Sequence, residues 1–187
     1  MTALAAGLLL AAGCSPKAPT PTVNQSMTKV IQPGADVIWG VTSQAFNDKG
    51  DGLVASKISQ TDWRRMQKAA EDIRDRAQLL ANARHVVVAS GNDAVMGAYA
   101  APAGKTKKTW DAASPEQIQA LIDGDPAKFK ERAQNLANQM DALAKASASK
   151  DIGVVYRVSS NLDEDCDSCH QPFWGTDEPP PVKPLQQ

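Results

Sequence analysis

Apolar residues recur along this chain at steps of three and four, the spacing that places them on one stripe of an α-helix. The cleanest run is Trp63, Met66, Ala70, Ile73, Ala77 and Leu80, with steps of 3, 4, 3, 4 and 3. A second run starts at Ser114-Pro115-Glu116-Gln117, an N-cap followed by proline at the first helical position and a capping glutamine. It carries Ile118, Leu121 and Ile122 and pauses at Asp123-Gly124-Asp125-Pro126, where Asp125 can cap and Pro126 can open a fresh helix. Phe129, Ala133, Leu136, Met140 and Leu143 then resume the stripe. The last run is Ile152, Val155, Ser159, Leu162, Cys166, Cys169 and Phe173, which predicts one C-terminal helix with both cysteines on its inward seam. Near the start, Val23, Met27, Val30, Val37 and Val41 share a stripe of a helix over 23–44, which Pro33-Gly34 should kink or divide. No segment shows strand alternation. The pattern predicts an all-α fold, an antiparallel four-helix bundle whose core can hold a cofactor.

The ends of the chain break this pattern. Leu4 to Ala12 form an apolar run of signal-peptide length, too short to span a bilayer, so residues 1–13 are expected to be a signal peptide. Leu10-Ala11-Ala12-Gly13-Cys14-Ser15 resembles the lipobox of bacterial lipoproteins, with Ala11 where leucine is usual and no Lys or Arg before the run. That resemblance makes Cys14 a candidate lipidation site and, with Ser15 following, implies anchoring at the outer membrane. Residues 14–22, with Pro16, Pro19 and Pro21, read as a tether, and the proline-rich residues 175–187 as a disordered tail. Residues 23–174 remain as one bundle domain. Within it, residues 86–113 are rich in Gly and Ala and read as a long, partly ordered crossover. The formal net charge of −1 argues against nucleic acid as a partner, since phosphate binding wants a basic excess.

Candidate chemistry concentrates in Cys166-Asp167-Ser168-Cys169-His170. Two thiols spaced C-x-x-C with a histidine directly after match the attachment site of a c-type haem. Each cysteine can add across one vinyl group of a single porphyrin, and the adjacent imidazole becomes the proximal iron ligand. Cys166 and Cys169 are therefore candidate attachment residues for one covalent haem c, held through the C-terminal helix, and His170 is its candidate metal ligand. A structural zinc site would need four N or S ligands, and the chain offers three cysteines and two histidines in all. A thioredoxin-like pair would need a βαβ setting, whereas the flanks are helical. A disulfide leaves His170 without a role.

With these residues in place the chain resembles the class II cytochromes c, the cytochrome c-prime group, over residues 23–174. The carriers of the likeness are Cys166-Asp-Ser-Cys-His170 with Phe173, and Met27 with Pro33, Asp36, Ile38 and Trp39. The resemblance implies a haem lying within the bundle. It also implies Met27 as second axial ligand, because six-coordinate members draw a methionine from the first helix. Gas-binding members carry Arg or Lys four residues after the haem histidine, where this chain has Trp174. The expected function is thus an exported, periplasmic single-haem carrier of electrons between redox proteins, not an enzyme. The alternative is a five-coordinate protein that binds nitric oxide or carbon monoxide.

Single residues carry competing readings. Met27 is a core methionine on an apolar stripe unless it ligates iron, and Met66 and Met140 sit in seams as core residues. His85 after Arg84 reads as a helix C-terminal residue favoured by the dipole rather than as a ligand. Asp163, Glu164, Asp165 and Asp167 read as a solvated face, or as acid that steers a basic redox partner to the haem edge. The family likeness adds a homodimer to the candidate partners.

Overall fold

The structure, a computed structural model, describes residues 21–90 and 115–173. The expected signal peptide, Cys14, most of the tether, Trp174 and the C-terminal tail lie outside the described residues. The first rod comprises α1 (Val23–Ser26), a π-helical turn (Met27–Ile31) and α2 (Gln32–Ala45). A 3-10 turn at Ala55–Lys57 leads to α3 (Gln60–Ala81). The third rod is α5 (Pro126–Ser149), preceded by a short α4 (Pro115–Gly124), and the fourth is α6 (Ile152–Ser160) followed by α7 (Leu162–Phe173). Four rods make an all-α, antiparallel four-helix bundle. The described residues contain a single isolated β-bridge, Phe46 with Leu53.

The caps follow the local chemistry. Ser59 opens α3 by accepting from the Asp62 N–H at 3.1 Å, and Asp125 opens α5 by accepting from the Lys128 N–H at 3.0 Å. Pro126 occupies the first turn of α5, as expected. At the other end of α5, Lys150 adopts a left-handed φ of 59°, and Asp151 immediately caps α6, so the chain reverses in two residues. The six stripe residues of α3 and the five of α5 are all buried. These two central helices pack most extensively on each other. Met66 and Met140, each fully buried, are core residues as read from the sequence.

Two expectations about helix continuity need correction. The first rod is not divided at Pro33-Gly34. Its irregularity lies one turn earlier, in the π-turn, where the Gln32 N–H bonds back five residues to the Met27 carbonyl. Proline at 33 has no N–H and its ring collides with the carbonyl four residues before it. The wider turn ahead of it accommodates both demands, and α2 continues unbroken through Pro33. Gly34 serves packing instead: a Cβ there would meet Ile73 Cδ1 and Cγ1 at 2.8 Å, so its missing side chain lets α2 approach α3. The C-terminal helix, expected as one rod, is two: Asn161, with φ −98° and ψ 1°, separates α6 from α7.

Candidate functional site

One end of the bundle encloses a pocket with roughly 650 Å³ of atom-free space, part of it open to solvent. Its walls are apolar. The first rod contributes Val23, Met27 and Ile31, α3 contributes Ala77 and Leu80, and α4 contributes Ile118 and Ile122. Phe129, Ala133 and Leu136 come from α5. The remaining wall is α7, with Asp165, Cys166, Cys169, His170 and Phe173. Stripe periodicity explains the gathering: each wall residue sits on the inward face of its helix, near one end of the bundle.

Helix α7 is fastened at both ends of the motif. Leu162 and Phe173 are buried, and the Phe173 ring meets Phe129 edge-on at 5.5 Å and 74°. An edge-to-face pair of this kind adds about 0.5–1.5 kcal/mol to the burial of its rings. Asp163, Glu164 and Asp165 occupy the first turn, where the helix dipole favours negative charge, and His170 lies in the last turn, where it favours positive. Between the fastened ends, Cys166, Cys169 and His170 are half-buried. Both thiols are free.

Burial dominates the electrostatics. It pushes the Cys166 thiol up to about 12 and the Cys169 thiol up to about 11, the Cys169 rise being moderated by Ser168 and by the positive charge of Arg132. Burial lowers the His170 pKa, against a smaller opposing pull from Asp167, so the imidazole is neutral at physiological pH, the form that binds metal. Asp165 behaves differently from its acidic neighbours. Asp163, Glu164 and Asp167 face solvent, whereas Asp165 turns one carboxylate oxygen into the pocket, buried and without a hydrogen-bond partner. Burial, then the neighbouring Glu164, raises its pKa.

The sign of that shift yields a test. Because the folded value lies above the unfolded one, this group's contribution to stability is fully present below its ordinary pKa of 3.8 and is lost as pH rises through the folded value. Asp165→Asn is expected to raise the thermal unfolding midpoint at neutral pH and to leave it nearly unchanged at about pH 3. A lower midpoint at neutral pH would contradict the assignment.

The pocket unites Met27 with Cys166, Cys169 and His170, although the sequence separates the methionine from the motif by most of the chain. It does not include His85, which is exposed beyond the end of α3. Trp63 is core and Trp39 packs against the core from a half-buried position. Arg132 went unnoticed in the sequence because it stands one residue before the stripe position Ala133. Its guanidinium Nε is buried without a hydrogen-bond partner. The inward side of α4 was legible as Ile118 and Ile122, one turn apart, but nothing in their spacing assigned them to this pocket.

The residues fit a c-type haem. Two thiols on successive turns, an imidazole and a thioether border one apolar pocket, and the buried Arg132 Nε near Cys169, without a hydrogen-bond partner, suits a carboxylate. Zinc is a poorer match: among the described residues no group of three or more His, Cys, Asp and Glu side chains could hold a metal ion. Residues 57–174, well over half the chain, match the sequence profile of the family described as Cytochrome C'. The chain belongs to that family. Cytochrome C' proteins carry covalently attached haem c, so this chain is a class II c-type cytochrome and a haem protein. Members are generally haem-binding or electron-carrying proteins rather than enzymes, and are typically periplasmic. Comparison with curated proteins and with solved structures finds no match. No helix among the described residues is long and apolar enough to cross a membrane.

Proposed function

We propose that this cytochrome C' family member is an exported electron carrier with one haem c, joined to Cys166 and Cys169 and ligated by His170 and Met27. The observation that carries the reading is the convergence of all four side chains on one apolar pocket. When bound, the haem supplies an iron that cycles between ferric and ferrous states. The chain's part is to hold and tune it. Cys166 and Cys169 would hold the group covalently, each as a thioether formed by its S–H adding across one vinyl group. His170, whose pKa burial lowers, would donate an imidazole nitrogen from α7, and Met27 would donate a soft thioether sulfur from the first rod. The apolar wall excludes water, which favours the less charged ferrous state and limits reorganisation during transfer. Were His170 and Met27 both to ligate the iron, no coordination position would be left open for a substrate.

The optical spectrum of the oxidised protein tests this reading. The expected result is low-spin iron with the methionine–ferric charge-transfer band. A high-spin spectrum at neutral pH, with rapid carbon monoxide binding on reduction, would replace the carrier by a gas-binding protein.

Two further parts of the proposal concern surroundings. Cys14 carries a lipid that anchors the protein to the outer membrane; Cys14→Ser is expected to release it to the soluble periplasmic fraction, and continued membrane association would count against lipidation. The exposed carboxylates of Asp163, Glu164 and Asp167 stand on α7, the helix that carries the motif, and suit a basic redox protein. Electron transfer to such a partner should slow as ionic strength rises from about 0.01 to 0.15 M, where screening shortens from about 30 to 8 Å.

A further inference from the structure

The segment between α3 and the undescribed crossover is a strap, and one side chain holds it. Gln119 of α4 donates from Nε2 to the Val86 carbonyl at 2.9 Å and accepts at Oε1 from the Val88 N–H at 2.9 Å. The same Nε2 donates to Asp123 Oδ1 at 3.0 Å, which fixes the amide's orientation. A single carboxamide thus brackets three residues of extended chain, with Val86 and Val88 buried on either side of exposed Val87.

The strap in turn holds the start of the first rod. The Val23 N–H donates to the Val87 carbonyl and the Asn24 N–H to the Val88 carbonyl, each at 2.9 Å. These are two of the orphan donors that any helix N-terminus must satisfy. The third, the Gln25 N–H, is taken by the Thr22 hydroxyl at 3.0 Å. The Met27 N–H donates to the carbonyls of Val23 and Asn24, the two residues tied to the strap. Immediately beyond lies the π-turn, a wider and weaker coil than the α-helix around it. Met27 therefore stands at a junction fixed on its N-terminal side by the strap and loosened on its C-terminal side by the π-turn.

We infer that Gln119 is a positioning residue for Met27: it sets, through strap 86–88, how firmly the methionine is kept on the iron. The inference rests on the ligation of iron by Met27 proposed above. Without the bracket, the strap loses its fixed register, the first turn of α1 frays, and Met27 leaves the iron more often. A ligand that needs the sixth position then binds in proportion to the fraction of molecules with Met27 off.

The test uses the full-length, haem-loaded protein, with carbon monoxide as probe of the ferrous form. Gln119→Leu removes both hydrogen-bonding groups and is expected to speed carbon monoxide binding on the order of tenfold. The methionine–ferric band should weaken, and amide-exchange protection should fall at Val23, Asn24 and Val88. Gln119→Glu keeps the acceptor for Val88 but loses the donor to Val86; it should lie between Gln119→Leu and wild type, and it supplies the same readouts if Gln119→Leu does not fold. Asp125→Ala removes the α5 cap, far in sequence from the strap, and should leave the binding rate unchanged. Met27→Ala sets the upper limit. A wild-type rate in Gln119→Leu beside a fast Met27→Ala would overturn the positioning role alone. An equal acceleration in Asp125→Ala would reduce Gln119 to general stability and also overturn it. A Met27→Ala protein indistinguishable from wild type would remove the ligand assignment, and the inference with it.

Discussion

Met27→Ala is expected to convert the low-spin ferric spectrum to a high-spin one and to lower the reduction potential on the order of 100 mV, within the roughly 0.8 V over which axial ligation sets haem potentials. A thioether is a soft, neutral donor that favours ferrous over ferric iron, so its loss stabilises the oxidised state. The covalent attachment should survive, because Cys166, Cys169 and His170 belong to α7 and are fastened there by Leu162 and Phe173 rather than by the first rod. Carbon monoxide should then bind the reduced variant rapidly. Redox titration and the oxidised spectrum together check this; an unchanged spectrum would move the second ligand elsewhere.

The other large effect belongs to the motif cysteines. Replacing both Cys166 and Cys169 by alanine is expected to abolish covalent haem, seen as an intact mass lacking any added tetrapyrrole after expression in a host able to mature c-type cytochromes. Either single replacement leaves one thioether, and so a haem that stays attached but with one vinyl group intact. The pocket's apolar wall predicts in addition that the double variant is less stable. Phe129, Ile118 and Ile122 then lose an aromatic neighbour whose burial contributes at about 25 cal/mol per Å². Retention of covalent haem by the double variant would remove the attachment assignment altogether.

Much of this was legible in the sequence, for a physical reason. Helix α3 could be read residue by residue because all its inward positions are apolar and its phase never slips. The start of α5 could be read because Asp125 and Pro126 act within a single turn. The break at Asn161 escaped notice because α7 resumes at once and keeps the stripe in phase, so spacing alone cannot register it. The π-turn escaped because a bond reaching back five residues leaves no apolar period of its own, and Pro33 drew attention one turn too late. The site divided in the same way. The motif announced Cys166, Cys169 and His170 by spacing, whereas Met27 needed a family likeness to stand out from other stripe methionines. Gln119 could not have been found at all: its partners lie 31 and 33 residues away and are backbone groups that any sequence would offer. Asp165 looked like one more solvated acid because helical phase does not say which way a carboxylate at the edge of a stripe will turn.

The half-buried seating of the two sulfurs bears on how readily they react before a porphyrin is attached. Disulfide chemistry runs through the thiolate, and burial, which pushes Cys169 up to about 11, leaves less of it at neutral pH. Cys166 is quieter still. The folded chain is thereby expected to be slow to cyclise its own C-x-x-C pair or to form mixed disulfides with passing thiols.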